Sequence, residues 1–254
     1  MVNAVVLAGR ANDGRLKDYG PPESEALIDI GGRPMLQYVL AALGEASGVE
    51  RILVMGPPEL LARAVQAPGV EFRAGGSSIT EHVLLAKREL GEEKPLLIVT
   101  SDIPLVTGAM IDRFLAAAVP LGADFCYPIS RREDNEAKYP GVRRTYVTLR
   151  EGTFTGGNIF LVNPQVIEPV LGKAEEFIRY RKSPLKLAGL LGWSFILGLL
   201  LKRLNISQLE EKVSRLFGVK ARAIICPDPE VGLDVDKPSD LELVRRVLGT
   251  ASSR

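Results

Sequence analysis

Residues 95–105 read Pro95-Leu96-Leu97-Ile98-Val99-Thr100-Ser101-Asp102-Ile103-Pro104-Leu105. Four consecutive aliphatic side chains leave no polar face, so the stretch suits a strand covered on both sides of its sheet. An acid follows almost at once. Asp102 is thereby fixed by the sheet yet exposed at its edge. A carboxylate there suits a magnesium ligand, which typically combines one or two carboxylates with substrate phosphates. It equally suits a turn or a helix N-cap.

The same grammar extends outward on both sides. Val2–Leu7 is a short apolar strand, and the polar residues 10–25 after it form a long loop. Leu36, Val39, Leu40 and Leu43 give residues 35–46 helical spacing. Strands at 51–55 and 70–73 flank a helix at 58–66. Ser77 or Ser78 caps a helix running to about residue 90, with Glu81 in the capping-box position. A helix at 107–118 and a strand at 123–127 follow. This alternation predicts βαβ units and a mostly parallel sheet.

After Pro128 the rhythm changes. Residues 130–144 are charged and loop-like, 145–149 alternate, and 156–162 form a strand, so an antiparallel insertion is expected. Helices are expected at 164–171, 174–181 and 207–217, a strand at 221–226, and a closing helix from Ser239, which caps it. The predicted architecture is a three-layer α/β/α, Rossmann-like domain over residues 1–254. It carries an acceptor-side and helical insertion at about 128–218.

Composition removes several functions. With 32 Lys+Arg against 31 Asp+Glu the net charge is +1, which excludes a nucleic-acid binder working by bulk charge. The 46% apolar content excludes disorder. His82 is the single histidine, which supplies neither a zinc site nor a Ser-His-Asp hydrolase, and it reads as a polar helix residue. Cys126 and Cys226 read as buried core thiols. The N-terminus has no basic stretch or cleavage site of a signal peptide, so the cytoplasm is the expected compartment.

Ligands of open α/β sheets bind beyond the carboxyl ends of the strands, and three motifs lie there. In the first, the small-residue turn Leu7-Ala8-Gly9-Arg10 lets backbone N–H groups approach phosphate oxygens, which Arg15 and Lys17 could neutralise. The second is Ser101-Asp102-Ile103-Pro104-Leu105. The third is Asp234-Val235-Asp236-Lys237-Pro238-Ser239-Asp240-Leu241, where extended chain puts Asp234 and Asp236 on one side.

In this order the motifs resemble nucleotidyltransferases of the nucleotide-sugar pyrophosphorylase type, closest to the molybdenum-cofactor guanylyltransferase-like branch. Gly32-Arg33-Pro34-Met35-Leu36, Gly75-Gly76 before a capped helix, and Thr155-Gly156-Gly157-Asn158 are similar to further family stretches. The resemblance implies attack of an acceptor phosphate on the α-phosphorus of a nucleoside triphosphate, with pyrophosphate leaving. It implies Mg²⁺ on Asp102 and Asp236, and a triphosphate cradle of Leu7, Ala8, Gly9 and Arg10. By the same resemblance Arg15, Lys17 and Asp102 would carry the catalysis. It further implies that Gly75, Gly76 and Thr80 read the base, and that Gly157 and Asn158, with Arg143 or Arg144, meet a phosphorylated small-molecule or lipid-like acceptor. Against the family pattern, Arg10 replaces the second loop glycine and Glu25 stands where many members place a lysine. These two departures keep open a non-catalytic nucleotide-binding protein. A nucleotide-sugar-dependent glycosyltransferase is disfavoured, because Asp102-Ile103-Pro104 replaces its D-x-D.

One segment stands apart. Residues 187–201, LAGLLGWSFILGLLL, carry no charge, and basic residues flank them at 179, 181, 182, 186, 202 and 203. The block is shorter than the roughly 20 residues of a membrane span. Three readings stand: a helix buried against the sheet or in a homodimer, a peripheral membrane contact, or an apolar wall for a lipophilic acceptor.

Overall fold

The computed structural model describes residues 1–180 and 183–251. The first half of the chain runs β1 (Val2–Leu7), β2 (Asp29–Ile30), β3 (Arg33–Pro34), α1 (Met35–Glu45), β4 (Val49–Met55), α2 (Pro58–Ala64), β5 (Val70–Arg73), α3 (Ile79–Leu90), β6 (Leu96–Thr100) and α4 (Gly108–Ala118). The second half runs β7 (Phe125–Arg131), α5 (Arg132–Lys138), β8 (Val147–Leu149), β9 (Gly152–Gly156), β10 (Ile159–Val162), α6 (Ile167–Tyr180), α7 (Pro184–Leu191), α8 (Trp193–Leu200), α9 (Ile206–Phe217), β11 (Ala221–Ile225) and α10 (Pro238–Ala251).

Nine of these strands form one mostly parallel sheet. β1 lies between β4 and β6, parallel to both, and β5 continues the sheet beyond β4. The chain thus winds outward from β1 to β5, then reverses to β6 on the other side of β1. Such a switch point opens a crevice at the carboxyl ends of the two central strands. Beyond β6 lies the antiparallel β10, and then β7 with the parallel β11 on its far side. β10 runs beside the first residues of β7 and β9 beside its last.

The period of two along the strands sorts the core into layers. Ala4, Val6, Leu97 and Val99 face one way and pack with Leu36, Val39 and Leu43 of α1 and Ile111 and Phe114 of α4. Val5, Leu53, Leu96 and Ile98 face the other way, onto Ala86 and Leu90 of α3 and Ile167 of α6. This is the predicted three-layer α/β/α arrangement. A further cluster joins the chain ends: Leu16, Ile28, Ile30 and Met35 pack with Leu233, Val235, Leu241 and Val244. The long loop 10–25 is therefore anchored, with Leu16 fully buried and Asn12 Nδ2 donating to the Gly20 carbonyl at 3.1 Å.

Several local expectations change. The charged stretch after Ser130 contains α5, whose sequence REDNEAK has no apolar stripe to betray a helix. It is held instead by an Arg132–Glu136 ion pair one turn apart and by Asn135 Nδ2, which donates to Ser130 Oγ and the Arg131 carbonyl. The strand expected at 156–162 is β10, which starts only at Ile159, while Gly156 ends a separate, unexpected strand β9 and Gly157-Asn158 break the two. The two helices expected around Gly172 are the single α6. Glu81 does not complete a capping box: its carboxylate accepts from Ser77 N and Oγ, while Ser78 Oγ alone takes the Glu81 N–H. Ser239 does not cap the last helix, because Pro238 is its first residue, a position suited to proline's fixed φ and missing N–H. The apolar block is two helices, α7 and α8, separated by Gly192 at φ +87°. No helix among the described residues is long and apolar enough to cross a membrane.

Candidate active site

Backbone hydrogen bonds lock four segments together at the crevice. Ser101 N donates to the Leu7 carbonyl, Thr100 N to the Asn158 carbonyl at 3.1 Å, Val235 N to the Asp102 carbonyl at 2.9 Å, and Asn158 N to the Val231 carbonyl at 2.7 Å. The ends of β1 and β6, the break between β9 and β10, and residues 231–236 are thereby held in register. The Asn158 backbone does the joining. At Gly157, a Cβ would come within 3.0 Å of the Val231 carbonyl, so the close approach needs a glycine.

This register brings three acids to one point. Asp102, Asp234 and Asp236 each present an oxygen, all within 4.8 Å of one another. Thr100 Oγ1 donates to Asp102 Oδ1 at 2.5 Å. Burial pushes the Asp102 carboxyl up to about 7 against that hydrogen bond, and the charges of Asp234 and Asp236 add to the rise. Burial, then the neighbouring Asp234, raises Asp236 as well. Like charges this close resist joint ionisation unless a cation lies among them. Three hard oxygen donors are the chemistry that suits Mg²⁺. The family resemblance implies a metal on Asp102 and Asp236 alone; Asp234 joins them here. The signal that includes it was the alternation placing both acids of the DVD run on one side.

Two arginines flank the acids. Arg144 donates to Asp234 and to the Gly232 carbonyl, so of the two arginines expected at the acceptor this one is engaged with the acid cluster. Arg143 is exposed. Arg10 lies 3.2 Å from the Glu25 carboxylate and 3.5 Å from Asp236. Burial raises the Glu25 carboxyl, and Arg10 opposes the rise. The two departures from the family pattern are therefore one ion pair, which holds a guanidinium at the edge of the acid cluster. Arg15 and Lys17 are exposed on either side of the buried Leu16, whose anchoring in the core fixes where both start.

His82 has a part that no motif announced. Its Nδ1 pairs with the Ser78 carbonyl at 2.6 Å, which requires the proton on that nitrogen. Its ring lies against two loops at once. A Cβ on Gly9 would fall 2.3 Å from Nε2, and one on Gly75 would fall 2.0 Å from the same atom. His82 thus wedges the phosphate-side turn against the Gly75-Gly76 loop, and only glycine at 9 and 75 leaves room for it. Thr80 is engaged: its hydroxyl donates to Glu175 Oε1 on α6 and shares a hydrogen bond with Ser78 Oγ, both at 2.9 Å. A cavity of about 410 Å³ lies there between α3 and α6, lined by Ser77, Thr80, Leu84, Leu171 and Glu175 among others.

The chain is similar throughout its length to solved structures. A hypothetical transferase from Thermus thermophilus is 36% identical with a TM-score of 0.84, covering 94% of this chain and 99% of its own. The CMP:2-keto-3-deoxy-manno-octonic acid synthetase, solved with CTP, shares the fold at 16% identity and a TM-score of 0.67, covering 99% of this chain and 100% of its own. The 2-C-methyl-D-erythritol 4-phosphate cytidylyltransferase from Thermus thermophilus shares it at 17% identity and a TM-score of 0.52, covering 97% and 98%. The family model of the MobA-like NTP transferase domain matches residues 4–184, a span that contains the Gly9 turn, the Gly75-Gly76 loop and Asp102. The chain belongs to the MobA-like NTP transferase domain family, and it is a transferase whose chemistry is nucleotidyl transfer.

Proposed function

We propose that the crevice transfers a nucleoside monophosphate from a triphosphate to a phosphorylated acceptor, releasing pyrophosphate, in the presence of Mg²⁺. The observation that carries this reading is the convergence of Asp102, Asp234 and Asp236 beside the Gly9 turn. When bound, Mg²⁺ supplies charge neutralisation on the phosphates. The three acids would hold it.

The rest falls to the chain's own groups. The reaction asks mainly for alignment of two phosphates and offset of their charge. Backbone N–H groups of Gly9 and Arg10 approach the triphosphate, that of Ala8 being held by the Met55 carbonyl at 2.9 Å, and Arg15 and Lys17 offset its charge from the solvent side of the crevice. Arg10 is held in place by Glu25, so its guanidinium is pre-oriented rather than drawn from solvent. Gly75-Gly76 and the α3 N-terminus receive the nucleoside, with Thr80 acting through Glu175. Gly157, Asn158 and Arg143 line the acceptor side, and Arg144 braces Asp234.

The test is pyrophosphate release with purified protein, each of the four common NTPs, Mg²⁺ and a panel of sugar and polyol phosphates. The reading expects one NTP to support turnover and Asp102→Ala to abolish it. Triphosphate binding without turnover on any phosphorylated acceptor favours the non-catalytic alternative and contradicts the proposal.

A further inference from the structure

Helix α8 is apolar on two opposite faces, and the fold covers only one. Phe195 and Leu199 pack inward on Leu149, Phe154 and Leu204 over the β8–β9 end of the sheet. Trp193, Leu197, Leu200 and Leu201, spaced i, i+4, i+7 and i+8, form the outward stripe. They are 64%, 57%, 74% and 51% exposed. Four large apolar side chains exposed in one stripe signal a binding surface rather than scattered surface residues.

The surroundings of the stripe are basic. Lys202 and Arg203 follow it directly and are exposed, whereas Lys186 on α7, also exposed, holds its Nζ 5.2 Å from the Tyr180 ring centroid on α6. Lys212 Nζ lies 5.9 Å from the Phe195 ring centroid, beside the start of the helix. Arg181 and Lys182, two more residues of the expected basic rim, lie outside the described residues.

The helix ends in a left-handed turn in which Arg203 N donates to the Gly198 carbonyl and Lys202 N to the Leu199 carbonyl. Lys202 takes the left-handed position at φ +56°, and it is the one such non-glycine among the described residues. At the corresponding turn after α9 the chain uses Gly218 at φ +73°. A lysine in that position is a conformational cost, and it places a cation at the end of the apolar stripe.

We propose that α8 docks on an anionic lipid surface, with Trp193, Leu197, Leu200 and Leu201 entering the headgroup–acyl boundary and Lys202 and Arg203 meeting anionic headgroups. Tryptophan, leucine and flanking cations are the composition of helices that lie in that boundary. A second copy of the chain fits less well. A two-fold contact sets the same patch against itself and so brings basic rim near basic rim. Four side chains also fall well short of the about 20–30 residues a side of a stable interface.

Trp193 is the only tryptophan of the 254 residues, so its fluorescence reports this surface in the intact chain. Vesicles of phosphatidylcholine mixed with phosphatidylglycerol should shift its emission to the blue and pellet the protein, whereas phosphatidylcholine alone should do neither. Leu197→Ser with Leu200→Ser should abolish pelleting. Lys202→Gln with Arg203→Gln should weaken binding roughly thirty-fold, the loss expected for two cations at an anionic surface. Lys202→Gly separates function from fold: it should bind anionic vesicles more weakly while raising the melting temperature. Stabilisation by NTP should be unchanged in all of these variants, so failure here leaves the nucleotidyl-transfer reading standing. The proposal is overturned by absence of pelleting with anionic vesicles, by equal binding to neutral ones, or by a doubled solution mass with Trp193 already shielded.

Discussion

The crevice at β1 and β6 and the outer face of α8 break opposite rules of folding. In the crevice three carboxylates are crowded together and partly withdrawn from water, with Asp102 pushed up to about 7. On α8 four large apolar side chains are left in water. Neither arrangement is one that stability alone would select, and folds tend to depart from local rules at functional sites. The difference lies in what each lacks. The crevice has an excess of negative charge and asks for a cation and phosphates. The helix has an excess of apolar surface beside positive charge and asks for an amphipathic partner. The two lie on different parts of the fold, so they can be tested separately.

The largest expected effect is at Asp102. Asp102→Asn keeps the side-chain volume while removing one charge from the cluster. Turnover should fall at least a hundredfold, and the melting temperature in EDTA should rise, because the variant no longer opposes Asp234 and Asp236. A variant that loses activity without gaining stability breaks the claim that the acids are mutually strained. Next is His82→Ala, which removes the wedge between the Gly9 and Gly75 loops. It should lower kcat/KM by roughly ten- to a hundredfold, the range that small misplacements of reacting groups cost. Steady-state kinetics with saturating acceptor read it, and an unchanged kcat/KM removes His82 from the account.

A smaller effect follows from the Asp102 titration. The folded protein keeps a proton there up to about pH 7, whereas the unfolded chain releases it near the ordinary value of 3.8. Between about pH 4 and 7 the folded state thus binds more protons, and stability of the metal-free protein should fall as pH rises through that window, by at most a few kcal/mol. Saturating Mg²⁺ should flatten the slope. Denaturant melts in EDTA across the window check the sign. The smallest effect is on α8, where Leu200→Ser should change folding stability by only about 0.5 kcal/mol. A loss of several kcal/mol would show that this face is covered after all.

The parts of the molecule that were legible in the sequence share a physical cause. Val2–Leu7, Leu96–Thr100 and the helices between them are buried on faces whose apolar period is uninterrupted, so pattern alone places them. Asp102 and Asp236 were legible because each lies next to such an element. α5 was not, since it is a surface helix held by an ion pair and an asparagine side chain. β9 was missed because Gly152-Thr153-Phe154-Thr155-Gly156 reads as turn chemistry and is a strand only beside β7 and β8. The Arg10–Glu25 pair and the contact of His82 with Gly9 join residues far apart along folded loops, beyond the reach of any local period. Each of the two family departures looked like a loss when read singly. Together they form one ion pair that sets a guanidinium beside Asp236.

The most direct test of the central claim is a thermal melt of the wild-type protein and Asp236→Asn with each NTP, with and without Mg²⁺. Ligand bound to the folded state raises stability by mass action, about 2.7 kcal/mol at a hundred times Kd. The account predicts that one NTP and Mg²⁺ together stabilise the wild-type protein more than the sum of their separate effects, and that Asp236→Asn abolishes this synergy. Equal NTP stabilisation with and without Mg²⁺, or synergy that survives Asp236→Asn, would contradict it.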